Sequence, residues 1–189
     1  MAASDAEPTV ESNVAFQGRL LNLRVDTIRL PSGRLTTREI VEHSSSVCVV
    51  PIDNEDNVLL VRQYRKPAEA HLLEVPAGGV EEGEDPDGAV LRELQEEIGF
   101  TAGSLRCLAS FWVSPGWCTE YMHAYLATDL ISAKLAADDD EHITVERVPL
   151  KGVLALIQSG EIEDGKSIAS LLLALRLLGD NDSIPLQKR

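Results

Sequence analysis

The chain opens with polar and acidic residues, and a frayed end is expected over 1–13. Alternation starts after that. Leu21, Leu23 and Val25 alternate with polar neighbours, and Ile28 and Leu30 resume after Asp26-Thr27. Pro31-Ser32-Gly33 is a turn signal, and Leu35 to His43 returns as a second strand, so 20–43 reads as a hairpin. Ser46 to Ile52 is a valine-rich run suited to a buried strand. It is followed by the turn Asp53 to Asn57 and a strand over 58–64, which together predict a core hairpin. Leu72 to Val75 is a third short strand.

A helix is predicted from Asp85-Pro86 to Gly99. Asp85 can cap it, Pro86 suits its first turn, and Gly99 suits a left-handed end. Leu91, Leu94 and Ile98 form its apolar stripe. Strands are expected over 105–113, 120–127 and 143–150, and helices over 151–159 and 165–178. Leu171, Ala174, Leu175 and Leu178 would face inward from the last helix. The pattern is of the α/β class, a mixed sheet with helices on its faces.

A length of 189 residues and a mass of 20.6 kDa favour one domain, or one with a small appendage. Lys and Arg number 17 against 31 Asp and Glu, a formal charge of −14. That balance argues against a general nucleic-acid or acidic-membrane binder. The N-terminus has no basic patch followed by an apolar core, so no secretory signal is expected, and no run of about 18 apolar residues occurs. The three cysteines, Cys48, Cys107 and Cys118, form no CxxC and fit a reducing, cytoplasmic setting, with buried, inert thiols expected. The four histidines show no metal-ligand spacing and read as structural.

The chemistry concentrates in Gly78 to Phe100. These 23 residues hold eight acidic side chains and one basic one, half of the net charge. On the predicted helix Glu93, Glu96 and Glu97 point away from Leu91, Leu94 and Ile98. Clustered carboxylates repel unless a cation sits among them, and hard divalent ions are natural occupants. Most charge runs, however, are solvated helix faces.

The spacing decides between these readings. Gly78, Glu84, Arg92, Glu93, Leu94, Glu96, Glu97, Gly99 and Phe100 fill every specified place of G-x5-E-x7-R-E-U-x-E-E-x-G-U, where U is bulky and apolar. A chance fit is on the order of 10⁻⁷ per chain. The segment resembles the Nudix box. The resemblance implies the Nudix fold, an α/β/α sandwich, here with an N-terminal β-hairpin extension. It also implies a site for Mg²⁺, with Mn²⁺ as an alternative, formed by Glu93, Glu96, Glu97 and the carbonyl of Ala77. Arg92 would orient the glutamates, and Glu84 would brace the loop or reach the metal.

The likeness extends beyond the box. GRLLNLRVDTIRLPSG, TREIVEH, VRQYR, LLEVPAGG, SPGWCTEYMHAYLA and DDDEHITVERVPL look like an ADP-ribose pyrophosphatase. Pro115, sixteen residues past Gly99, accompanies ADP-ribose specificity in that branch. The implied reaction is ADP-ribose plus water giving AMP and ribose 5-phosphate. Alternatives are another nucleoside diphosphate sugar, a dinucleoside polyphosphate, or a non-catalytic module that binds ADP-ribose.

Individual positions carry over. Arg65 matches an arginine that contacts the diphosphate, and Arg38 and Glu39 lie near the nucleoside end. Glu81 falls where a ribose or metal-water contact is placed, and Pro115 and Gly116 belong to the substrate loop. Glu93 and Glu97 count as catalytic with Glu141, the expected base, for which Glu146, Asp140 and Asp139 are rivals. Glu74 acquires no role. Trp112 is expected in the core or partly buried, and Trp117 near ligand. Residues 1–43 would form an extension that mediates a homodimer, and 44–189 the hydrolase domain. No nucleic-acid or membrane partner is implied.

Overall fold

The computed structural model describes residues 6–135 and 142–179. Its contacts divide into two units, Met1–Ser45 with Phe111–Met122, and Ser46–Ser110 with His123–Arg189.

The first unit holds a three-stranded antiparallel sheet in the order β1 (Thr9–Gln17), β2 (Asn22–Arg29), β3 (Leu35–Glu42). The expected hairpin is β2–β3, with Gly33 at φ 83° in its turn. The frayed end expected over 1–13 is corrected for 9–13 by β1, which pairs with β2 from Thr9 onward, while residues 1–5 lie outside the described residues. All nine β1 residues are exposed, so the strand rests on ladder hydrogen bonds and leaves no burial pattern to read. Asp26, 3% exposed, accepts from the Ser12 hydroxyl at 2.6 Å and ties β1 to β2. The Ser114–Trp117 turn lies beside β3, because the Val41 N–H donates to the Trp117 carbonyl at 2.8 Å and Thr119 N–H to that of Val41 at 2.9 Å. Core or partial burial is the expectation for Trp112; it is 55% exposed and meets Tyr121 edge-on.

The second unit holds two sheets. One has the order β7 (Ala77–Gly79), β4 (Ser46–Pro51), β9 (Tyr121–Ser132), β8 (Phe100–Trp112); the other β10 (Thr144–Pro149), β5 (Asn57–Arg65), β6 (Ala70–Glu74). The core hairpin predicted over 46–64 is therefore corrected: β4 and β5 belong to different sheets, linked by the bridge Ile52–Val58. Val47 to Val50 of β4 and Val58 to Val61 of β5 are apolar on both faces, so alternation there gives no pairing signal.

Val47 and Val49 of β4 pack with Leu59 and Val61 of β5 and with Ala89, Val90, Leu94 and Ile98. The last four come from α1 (Pro86–Glu93) and the π-helical turn Leu94–Ile98 that extends it. Cys48 and Val50 point the other way and are equally buried. α3 (Gly165–Gly179) packs on β4 outside that first cluster and so covers the second face; α2 (Val153–Ser159) precedes it. The stripe of α3 is Ser167, Ser170, Leu171 and Ala174, while Leu178 is 44% exposed. Leu171 and Ala174 are buried as expected, whereas Ser167 and Ser170 join the stripe in place of Leu175 and Leu178 because their hydroxyls are satisfied, Ser167 by the Val75 N–H at 2.9 Å and Ser170 by the Lys166 carbonyl at 2.7 Å. Cys48 is buried, but Cys107 is exposed, against expectation.

Candidate active site

The segment Ala77–Phe100 runs strand, loop, helix. Asp85 caps α1 by accepting the Gly88 N–H at 2.7 Å, and Pro86 opens it. After Glu93 the helix widens into a π turn. The Gln95 side chain donates to the Leu91 carbonyl at 2.9 Å, supplying locally a bond of the kind the backbone ladder makes. Gly99 ends the turn at φ 77°, donating to Leu94, five residues back.

This geometry carries Glu93 and Glu97 into the protein. They are 8% and 6% exposed, whereas the 100° spacing puts them on an outer face. Leu91 is half-buried, and the inward stripe is Ala89, Val90, Leu94 and Ile98. Glu97 accepts the Ala77 N–H at 3.1 Å. Glu93 lies against Gly78 so closely that a Cβ there would fall 1.9 Å from its Oε1.

Arg92 organises the cluster with all five of its N–H donors. Nε and Nη2 reach the two oxygens of Glu84 at 3.1 Å each, and Nη2 also reaches the Gly79 carbonyl at 2.8 Å. Nη1 is shared by Glu93 at 2.7 Å and Glu96 at 3.0 Å. The Glu84 bonds first, and those of Glu93 and Glu96, outweigh burial and raise the Arg92 pKa further. Glu84 is in turn held below the usual carboxylate range by Arg92. Its Oε2 accepts the Glu81 N–H at 3.0 Å, so Glu84 braces loop to helix. The Glu81 side chain is exposed beside this brace.

Among the described residues no three His, Cys, Asp or Glu side chains stand ready as a metal cage. The glutamates are turned to Arg92 and to the backbone of β7. The donor set nevertheless suits a hard divalent cation: it is all oxygen, and Glu84, Glu93 and Glu96 share one guanidinium. The absent side chain at Gly78 leaves the room in which the Glu93 carboxylate sits.

The remaining predicted residues fall in two places. Arg65 closes β5 in the second unit, where its Nε and Nη2 donate to Glu74, each at 2.8 Å. Arg38 and Glu39 lie on β3 in the first unit, with Pro115 and Gly116 exposed in the turn beside that strand. Arg38 pairs with Glu7 at 2.7 Å. Glu141, with Asp139 and Asp140, lies outside the described residues. Glu146 is engaged by Arg62 Nε at 2.5 Å. Glu74, which acquired no role from the sequence, is 1% exposed and bound by both Arg65 and Lys166. A lone carboxylate inside the apolar run Leu72–Val75 was the available signal.

The profile of the NUDIX domain matches residues 42–171, and that of the nucleoside diphosphate sugar hydrolase N-terminal domain matches residues 7–41. The chain belongs to the NUDIX domain family and is a hydrolase of that family. It is 39% identical over 163 residues to a Bacillus subtilis protein named ADP-ribose pyrophosphatase, covering 85% of this chain and 88% of that one. A Bacillus methanolicus protein named methanol dehydrogenase activator is 40% identical over 167 residues, 87% of this chain and 90% of its own. The crystal structure of an ADP compounds hydrolase shares the fold with a TM-score of 0.84, covering 92% of this chain and 94% of that chain at 24% identity.

Proposed function

We propose that this chain hydrolyses the diphosphate bond of ADP-ribose, giving AMP and ribose 5-phosphate, with Mg²⁺ as the cofactor and Mn²⁺ as a substitute. The observation that carries the reading is the pair of buried carboxylates, Glu93 and Glu97, set against Ala77 and Gly78 at the box, in a chain with relatives named ADP-ribose pyrophosphatase.

Glu93, Glu96, Glu97 and the Ala77 carbonyl would hold the cation. When bound, it neutralises phosphate charge and lowers the pKa of water. Arg92 keeps the glutamates in register. Arg65 binds the diphosphate with its open edge, and Glu81 faces the ribose. Arg38, Glu39, Pro115 and Gly116 recognise the nucleoside end. Water oxygen bonds to one phosphorus as the bridging oxygen leaves. Glu141 takes the water's proton, a role resting on the likeness of the EHITV stretch; the engagement of Glu146 by Arg62 favours it over that rival.

The working form is a homodimer in the cytoplasm. The exposed β1, with Val10, Val14 and Phe16 each more than half exposed, supports a partner surface, and three free cysteines suit a reducing compartment. Among the described residues no helix is long and apolar enough to cross a membrane. The test is Mg²⁺-dependent release of AMP from ADP-ribose, ADP-glucose, NADH and diadenosine polyphosphates, and of GMP from GDP-mannose. Preference for ADP-ribose supports the reading. Preference for another compound moves it within the family, and binding without turnover overturns the enzymatic reading.

A further inference from the structure

The guanidinium of Arg65 has two unlike edges. One, formed by Nε and Nη2, donates to both oxygens of Glu74. Glu74 is 1% exposed, while the Arg65 side chain is 38% exposed. Two donors of the planar fork are thus fixed in the protein interior, and among the described residues no hydrogen bond engages those of Nη1 or the second on Nη2, which remain for a ligand. The Glu74 oxygen that accepts from Arg65 Nη2, Oε2, also accepts from Lys166 Nζ. Lys166 also reaches Asp164 at 2.9 Å, and Asp164 accepts the Ser167 N–H at 2.9 Å, which ties the group to the start of α3. Burial alone would push the Glu74 carboxyl up, but Arg65 and Lys166 more than reverse it, so it stays charged. The hydrogen bonds that Arg65 donates to Glu74 chiefly keep Arg65 protonated, against burial, and the charge of Glu97 adds to this, which puts Arg65 within electrostatic reach of the box.

A buried ion pair seldom adds net stability over apolar packing, so stability does not account for a carboxylate that collects two cations. Orientation does. An arginine held in one rotamer before binding loses little freedom when a phosphate arrives.

We propose that Glu74 is a positioning residue for the hydrolysis: it fixes the inner edge of Arg65 so that the outer edge is offered to the substrate diphosphate, and Lys166 anchors Glu74 for that task. This rests on the reading that the substrate is a nucleoside diphosphate compound.

The test is a double-variant cycle in steady-state kinetics with full-length wild type, Glu74→Gln, Arg65→Ala and the pair, each checked by thermal melting. Glu74→Gln is expected to raise KM roughly tenfold, the scale of one weakened charge-assisted hydrogen bond, with kcat changed far less. In the Arg65→Ala background the same change should add nothing, because Glu74 acts through Arg65. Effects that multiply in the double variant overturn the proposal. Should Glu74→Gln fail to fold, Arg65→Lys carries the test, since an ammonium cannot hold Glu74 with one edge and offer another. It is expected to match Arg65→Ala in KM, and a wild-type KM overturns the proposal. The substrate reading stands or falls on the wild type alone. Should wild type prefer another diphosphate, the cycle is run with that compound, so the two failures are separable.

Discussion

The carboxylate of Glu93 occupies the space that a side chain at position 78 would need: a Cβ on Gly78 would meet Oε1 at 1.9 Å and Oε2 at 2.6 Å. One of the two must give way. Glu93 is the far end of a flexible side chain, but Arg92 holds it at 2.7 Å. Gly78→Ala should therefore dislodge the carboxylate more than the fold. Misplacement of a reacting group by about 1 Å can cost a hundredfold, and overpacking costs about 1–3 kcal/mol. Turnover should fall roughly a hundredfold while a cooperative melt survives. Wild-type kcat/KM in Gly78→Ala would contradict this placement of Glu93.

Arg92 spends every N–H it has on Glu84, Glu93, Glu96 and Gly79. Lysine keeps the charge but cannot reproduce a planar five-donor fork. Arg92→Lys is expected to lose about 2 kcal/mol of stability in urea unfolding, the scale of hydrogen bonds to charged groups. It should also lose activity, although no substrate contact is assigned to Arg92. Full activity with unchanged unfolding would show that the network is ornamental.

The turn after β4 offers a pH test remote from the chemistry. Asp53 accepts the N–H groups of Glu55 and Asn57, each at 2.9 Å. Burial works to raise its pKa, but these bonds and Arg147 prevail and lower it. A carboxyl depressed in the folded state adds stability that is complete above its unfolded pKa of about 3.9 and is lost as pH falls through the lower folded value. Wild type should thus lose more stability than Asp53→Asn between about pH 5 and pH 2. Parallel acid limbs in urea unfolding would contradict the turn's electrostatics.

The helix of the box was legible because its punctuation is local: Asp85, Pro86 and Gly99 act on the backbone beside them. The carboxylates were legible by spacing, but their depth was not. Glu93 and Glu97 are buried because β7 and Arg92 receive them, and those contacts are tertiary. β1 escaped notice because an exposed strand needs no apolar alternation. The separation of β4 from β5 escaped because strands buried on both faces carry no register mark. Glu74 acquired no role from the sequence, because its partner Lys166 arrives on α3, some ninety residues away.

The central claim is that the carboxylates set against β7 run a cation-dependent diphosphate hydrolysis. The most direct measurement is AMP release from ADP-ribose across a Mg²⁺ titration, for wild type and Glu97→Gln. Turnover that rises with Mg²⁺ and falls roughly a hundredfold in the variant is predicted, the scale on which one pre-set electrostatic group is felt in catalysis. Turnover indifferent to Mg²⁺, or equal in Glu97→Gln, would contradict it.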